Sequence, residues 1–327
     1  VTLPKAELHV HLEGTATPDL VRRLAARHAI TLPADLFGDD GRFLWTDFLH
    51  FLRAYDAAAS AIRTADDYRI VTADYLARCA AEGAVYVEVM ASPDHAAAVG
   101  LGYDGLVDGV AAGIAEARAA SGIEARIVMV CLRHLGPGPA VDVARRVAAA
   151  PHPLVTGFGM AGDEAVGRAA DFAPAFAVAA GAGLACTAHA GEVCGAESVR
   201  DAIRALPLAR IGHGVRAVED PDLVREIVDR GLVLEVCPVS NVATGVFPSL
   251  AAHPFGRLRA AGVAVTLASD DPPYFDTSIG REYAVAARHA GLDDRALRAV
   301  TRTALRAAFV DEGTRAALLA GVDADGP

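Results

Sequence analysis

The chain has 327 residues, 53% hydrophobic and 22% charged, enough to bury a sizeable core and too apolar for a disordered segment. Its net charge is −11 with no basic run, which argues against a nucleic-acid partner and makes the acidic excess a solubility feature. Five scattered cysteines without a Cys-x-x-Cys pair, and the absence of any stretch resembling a signal peptide, point to reduced thiols in a cytoplasmic protein.

The chain opens on Leu3-Pro4-Lys5-Ala6-Glu7-Leu8-His9-Val10-His11-Leu12-Glu13-Gly14. Read as a strand, its period of two puts Leu8, Val10 and Leu12 on one face and His9, His11 and Glu13 on the other. Two imidazoles two residues apart on one strand face can share a metal ion. Pro18 to Ala29 has helical spacing with Thr17 as a cap. Phe43 to Tyr55 is rich in aromatic residues and reads as a helix, packed on the body of the protein or serving as a lid over a pocket. Thr64 to Glu82 is a long amphipathic helix, so residues 14–84 form a helical insertion after the first strand.

From Val85 the pattern alternates. Strands are expected at Val85–Met90, Arg126–Leu132, Leu154–Gly159, Leu184–His189, Arg210–His213, Leu232–Cys237 and Val263–Ser269. Helices are expected between them at 104–121, 140–149, near 174–181, 196–206, 220–230 and near 254–261. The longest uncharged run, Phe172 to Gly191, is broken by Pro174 and glycines and reads as a helix and a strand, not a membrane span. Segments 281–290, 293–309 and 312–320 read as extra C-terminal helices. Eight strands separated by helices imply a parallel (β/α)8 TIM barrel in one domain, 1–327. The alternative, an open doubly wound sheet, lacks the Gly-x-Gly-x-x-Gly turn.

In such a barrel, chemistry sits where strands end at their C-termini. His9 and His11 end the first strand, His189 the fifth and His213 the sixth, while Asp270 and Asp271 follow the eighth. Single histidines there can be polar caps; this many together indicate a metal-dependent hydrolase. Three neutral imidazoles and one carboxylate suit zinc and leave a position for water, whose pKa then drops from about 16 towards about 7. Glu192, three residues past His189, is placed for general acid/base work. His213 could be a further ligand or could orient the nucleophile. Cys186 and Cys194 flank His189 and are the alternative soft ligands. Lys5 is the only lysine, so the fourth strand offers none to carboxylate and bridge two ions, which favours a single ion. The His-x-Glu and Pro-Cys-x-x-Cys signature of cytidine-type zinc deaminases is absent.

The segments Pro4–Gly14, Met160-Ala161-Gly162-Asp163-Glu164, Thr187–Glu192, Gly212-His213-Gly214 and Ser269-Asp270-Asp271-Pro272 together resemble the adenosine deaminase family, in order and spacing, across essentially the whole chain. The resemblance implies an amidohydrolase-type barrel with one Zn2+ held by His9, His11, His189 and Asp270. It further implies that Glu192 protonates purine N1, that His213 and Asp270 place the nucleophile for attack at C6, that Asp271 binds N7 and that the Gly162 N–H binds N3. His11 and Glu13 would also face the substrate. Positioned proton transfer of this kind is worth about 10²–10⁴-fold.

Glu13 departs from the aspartate that, in many adenosine-specific members, contacts the ribose 5′-hydroxyl. Glutamate there is usual in relatives that deaminate free adenine or other 6-aminopurine compounds. Ala161–Glu164, and the glycine rather than aspartate before His213, instead look like the nucleoside enzymes. The sequence therefore favours adenosine and 2′-deoxyadenosine, with adenine or a modified nucleoside such as aminodeoxyfutalosine as the alternative. Two rivals of another kind are a non-catalytic barrel that only binds, and a single-metal hydrolase of cyclic amides or esters. His134 and Ser240-Asn241 could face the site, whereas His28, His50, His95, His152, His253 and His289 are given no role.

Overall fold

Eight parallel strands form the centre of the structure, a computed structural model that describes residues 3–324. They are β1 (Lys5–His11), β2 (Ala84–Ala91), β3 (Glu124–Leu132), β4 (Val155–Ala161), β5 (Ala185–Ala190), β6 (Arg210–His213), β7 (Val233–Val236) and β8 (Ala264–Leu267), paired in chain order. Backbone bonds close the ring. The His11 N–H donates to the Asp270 carbonyl at 3.0 Å and the Asp270 N–H to the His9 carbonyl at 3.3 Å. Helices separate successive strands, giving the (β/α)8 barrel expected from the alternation. Strands covered on both faces read as near-continuous apolar runs, which is why β3 is buried from Ala125 to Leu132. Among the described residues no helix is long and apolar enough to cross a membrane.

Three local departures from the sequence reading bear on the site. β1 ends at His11, and Glu13–Thr15 winds into a 3-10 turn once the Leu12 N–H has bonded the Met90 carbonyl at 2.7 Å. Glu13 is therefore not on the strand face that carries His9 and His11. The aromatic helix runs Phe48–Ala59, later than expected, because the Asp47 carboxylate caps it by accepting the His50 N–H. Phe43 precedes that helix and stacks on Tyr274 at 4.0 Å between ring centroids. Finally, β7 runs directly into a short helix, Pro238–Ala243, that the sequence reading missed. Proline in its first turn costs no hydrogen bond there.

The floor of the barrel combines one aromatic ring with three buried charges. Phe309 packs with Met90, Val128 and Val130, and a Cβ on Gly157 would lie 2.7 Å from its ring, so β4 needs glycine at that point. The Arg210 guanidinium lies over the same ring at 3.3 Å and bonds Glu88 on one side and Glu235 on the other, all three fully buried. Removing one member of such a cluster strands the remaining charges in a low dielectric. Arg210→Met should lower unfolding stability by about 3–5 kcal/mol, measured as a fall in the urea midpoint.

Candidate metal centre and active site

Because β1 alternates, Glu7, His9 and His11 share one face of the strand. The His9 Nε2 and His11 Nε2 each lie 3.1 Å from His189 Nε2, brought across the barrel on β5. Asp270, past the end of β8, places Oδ1 3.5 Å from His9 Nε2 and 3.3 Å from His11 Nε2. All four donor atoms lie within 4.8 Å of one another. Both Asp270 (φ 64°) and His213 (φ 57°) have left-handed backbones, a conformation that non-glycine residues adopt when the surroundings impose it.

The outer nitrogens settle which ring atoms face this cluster. The Nδ1 of His189 is 2.9 Å from the Met160 carbonyl, which can only accept, so Nδ1 carries the hydrogen. The Nδ1 of His9 donates likewise to Glu235 at 2.8 Å. With neutral rings, two Nε2 lone pairs then face each other at 3.1 Å, an arrangement that a bound proton or a metal ion between them makes favourable. Separations of 3.1–3.5 Å are those of donors sharing one ion at roughly 2.0–2.1 Å from each. The donor set therefore fits a divalent metal. A second group, His9, His213, Cys237 and Asp270, also converges; there burial pushes the Cys237 thiol well above its ordinary range. Cys186 and Cys194 are free thiols outside both groups.

Electrostatics sort the acidic groups into distinct roles. Burial opposes ionisation of Asp270, but hydrogen bonds with His11 and His9 and the nearby His213 outweigh it and hold its carboxyl well below the usual range. The Ser240 hydroxyl bonds its other oxygen at 2.6 Å. Burial and the Asp270 charge push Asp271 well above the usual range, and its Oδ1 is buried without a hydrogen-bond partner. Glu192 is raised well above the usual range by burial and by the charges of Asp270 and Glu164. Burial carries His213 down to about 3, whereas His9, despite burial, is raised to about 10 by Asp270 and Glu235. Burial and the neighbouring imidazoles push His189 well below its ordinary value.

These groups line one cavity, with about 60 Å3 of space open to water. Its wall carries His11, Glu13, Gly162, His189, Glu192, His213, Asp270 and Asp271, along with Phe48, Phe51 and Tyr55 of the aromatic helix. Every residue singled out in the sequence for substrate or proton transfer is thus brought to one place. His9 lies just behind it, fully buried. His134 joins the lining, and a Cβ on Gly162 (φ 95°) would lie 2.6 Å from its Nδ1. A Cβ on Gly14 would come within 1.9 Å of Asp271 Oδ1, so glycine is what lets Asp271 occupy this wall. The Glu13 carboxylate accepts hydrogen bonds from the Tyr68 hydroxyl at 3.2 Å, the Ser92 N–H at 3.1 Å and the Tyr55 hydroxyl at 3.4 Å.

Several contributors escaped the sequence reading. Glu164 accepts the N–H groups of Gly191, Glu192 and Cys194 and the Ser198 hydroxyl, and so anchors the loop that carries Glu192. Glu7 accepts both the N–H and the hydroxyl of Ser269, tying down the residue before Asp270. His95 lines the cavity with a buried Nδ1 that has no partner, while its Nε2 bonds Asp56. Long-range pairings of this kind leave no local signal in a sequence.

The family profile described as adenosine deaminase matches residues 4–325. The chain belongs to the adenosine deaminase family. It is 54% identical over 318 residues to an adenine deaminase of Chelativorans sp., covering 97% of each. In structure it is similar to the adenine deaminase of Arthrobacter aurescens, with TM-score 0.90 and 30% identity over 98% of both chains. A zinc-bound amidohydrolase from Burkholderia ambifaria aligns with TM-score 0.89 and 25% identity over 99% of this chain and 90% of that one. This deaminase is therefore a hydrolytic enzyme acting on a purine ring. Replacing Glu235 with glutamine removes the charge that orients His9, and metal affinity should fall by about 10–100-fold, read by competition with a chromogenic chelator.

Proposed function

We propose that this deaminase acts on free adenine, exchanging the 6-amino group for oxygen with release of ammonia, and carries one zinc ion on His9, His11, His189 and Asp270. Its naming relatives support adenine over the nucleoside that the sequence favoured. The observation that carries the reading is the pinned carboxylate of Glu13. Three donors hold it, so it cannot swing aside for a ribose, and one acceptor site on Oε2 remains free. Free adenine offers an imidazole N–H to such an acceptor; in a nucleoside that position is bonded to the sugar. Residues within the two features that pointed to nucleosides, Ala161–Glu164 and the glycine before His213, serve other ends. Glu164 anchors the Glu192 loop, and a Cβ on Gly212 would lie 2.9 Å from His9 Cε1, so glycine there makes room for an imidazole.

A bound zinc ion would supply a water whose pKa is lowered from about 16 towards about 7. The protein does the rest. Asp271, kept protonated, donates to N7, and the Gly162 N–H meets N3, so the ring lies with C6 towards the histidines. Glu192, also kept protonated, gives its proton to N1 and makes C6 electrophilic. His213 and Asp270 orient the attacking oxygen. The attacking water gives up both of its protons: one ends on the departing nitrogen, which leaves as ammonia as the C6–N bond breaks, and the other returns to Glu192 as the 6-oxo group forms. The helix Phe48–Ala59 covers the cavity with its aromatic side and limits entry of bulk water.

Side-by-side turnover of adenine, adenosine, 2′-deoxyadenosine and aminodeoxyfutalosine tests the substrate. A site built around a substrate N–H rejects an analogue lacking it strongly, so kcat/KM for adenine should exceed that for adenosine by about 10²-fold or more; equal values would remove Glu13 from its role. Glu192→Gln should keep its metal content and fold while kcat falls by about 10²–10⁴-fold, and an unchanged rate would contradict the proton-donor assignment.

A further inference from the structure

A chain of hydrogen bonds runs from the backbone amide of Phe255 to the buried His213. The Phe255 N–H lies 3.2 Å from His253 Nδ1. A backbone N–H only donates, so Nδ1 of His253 presents its lone pair and the neutral ring carries its hydrogen on Nε2. That Nε2 is 3.1 Å from Asn241 Oδ1, which accepts. The amide is thereby oriented, and its Nδ2 donates to His213 Nδ1 at 3.1 Å. An imidazole that accepts at Nδ1 and is neutral carries its hydrogen on Nε2. The Nε2 of His213 is buried with no partner, 3.5 Å from Glu192 Oε2 and 3.9 Å from Asp270 Oδ2. It is an unsatisfied donor aimed into the cavity beside the two carboxyl groups that the reaction uses.

We propose that Asn241 and His253 are positioning residues that fix the tautomer of His213, so that its Nε2–H is always presented to the attacking oxygen. Asn241 suits this task because its own backbone is held at both ends. Its N–H bonds the Cys237 carbonyl and its carbonyl accepts the Phe247 N–H, both at 3.0 Å. The side chain is fully buried, out of reach of bulk solvent. His253 is only partly buried, packed edge-on against Phe247 at 5.2 Å, so it can be changed with little effect on the core. Burial, reinforced by Arg257, carries its pKa down to about 4, which keeps the ring neutral and the direction of the chain intact. The inference rests on the proposed reading of His213 as donor to the nucleophilic oxygen. What it adds is that a residue outside the cavity decides which nitrogen can donate.

The tautomer can be read directly. Zinc-loaded enzyme labelled with ¹⁵N-histidine gives two-bond ¹H–¹⁵N correlations that distinguish a protonated from an unprotonated ring nitrogen. The His213 signals are those missing from His213→Gln. Wild type should show a bare Nδ1 and a protonated Nε2. His253→Ala frees the Asn241 amide to turn, so the Nδ1–H form should appear and kcat should fall about tenfold or more, with KM little changed. His253→Gln, whose amide N–H can replace the lost donor, should restore both. Asn241→Asp places a carboxylate against Nδ1 and draws a proton there, with loss of about 10²–10⁴-fold in kcat. An Nδ1–H tautomer in wild type, or an unchanged tautomer in both His253→Ala and Asn241→Asp, would overturn the relay. Failure of the underlying reading looks different: His213→Gln would then turn over at the wild-type rate, whatever the spectra of the other variants show.

Discussion

Two hydrogen bonds on the outer edges of two imidazoles govern this site. Glu235 takes the Nδ1 hydrogen of His9 and the Met160 carbonyl takes that of His189, so both rings turn their lone pairs inward at 3.1 Å. Everything else in the barrel's upper half either supports that confrontation or exploits it. Glu235 is itself held by Arg210, which leans on Glu88 and on the ring of Phe309 at the barrel floor. The metal centre is thus tied through three side chains to the packing of a C-terminal residue. A cation bound at the mouth would share the same carboxylate-rich axis with the guanidinium below, each lowering the cost of burying the acids that the other needs.

The cavity holds Glu192, Asp270 and Asp271, and three like groups so close cannot all ionise. Geometry decides which do. Asp270 has imidazoles against it and stays charged, while its charge, together with burial, keeps Asp271 and Glu192 protonated. One strongly acidic carboxyl thereby creates two weak ones, which is how a site provides a base and hydrogen donors from the same functional group. His213 is treated the same way. Burial strips its charge, and its hydrogen-bonded neighbours leave it a single donor direction.

Under the proposed reading, substrate discrimination follows the same logic of pinned partners. A flexible glutamate could accommodate a sugar hydroxyl as readily as a ring N–H. Glu13 is anchored by Tyr68 and Ser92, and the Tyr55 that also touches it belongs to the helix covering the cavity. Specificity and enclosure are therefore coupled through one tyrosine. Fixed acceptors reject ligands that cannot supply a donor, because the group left unpaired is buried.

Much of this was legible from the order of residues alone. Strand periodicity placed His9 and His11 on one face, and eight alternating units required a barrel whose strand ends would gather His189, His213, Asp270 and Asp271. Those inferences hold because repeat patterns and strand ends are local properties of a chain. The sequence was silent or misleading wherever a residue acts through a partner far along it. The segment Ala161–Glu164 and Gly212 looked like marks of a nucleoside enzyme, yet Glu164 at the end of that segment anchors the Glu192 loop 28 residues away and Gly212 clears space for His9. Asn241 was marked only as a residue that could face the site and His253 was given no role, because the direction of a hydrogen-bond chain depends on which atoms meet in space. Only the folded chain could decide tautomers, protonation and the grip on Glu13, since each is set by burial and by neighbours that backbone order does not bring together.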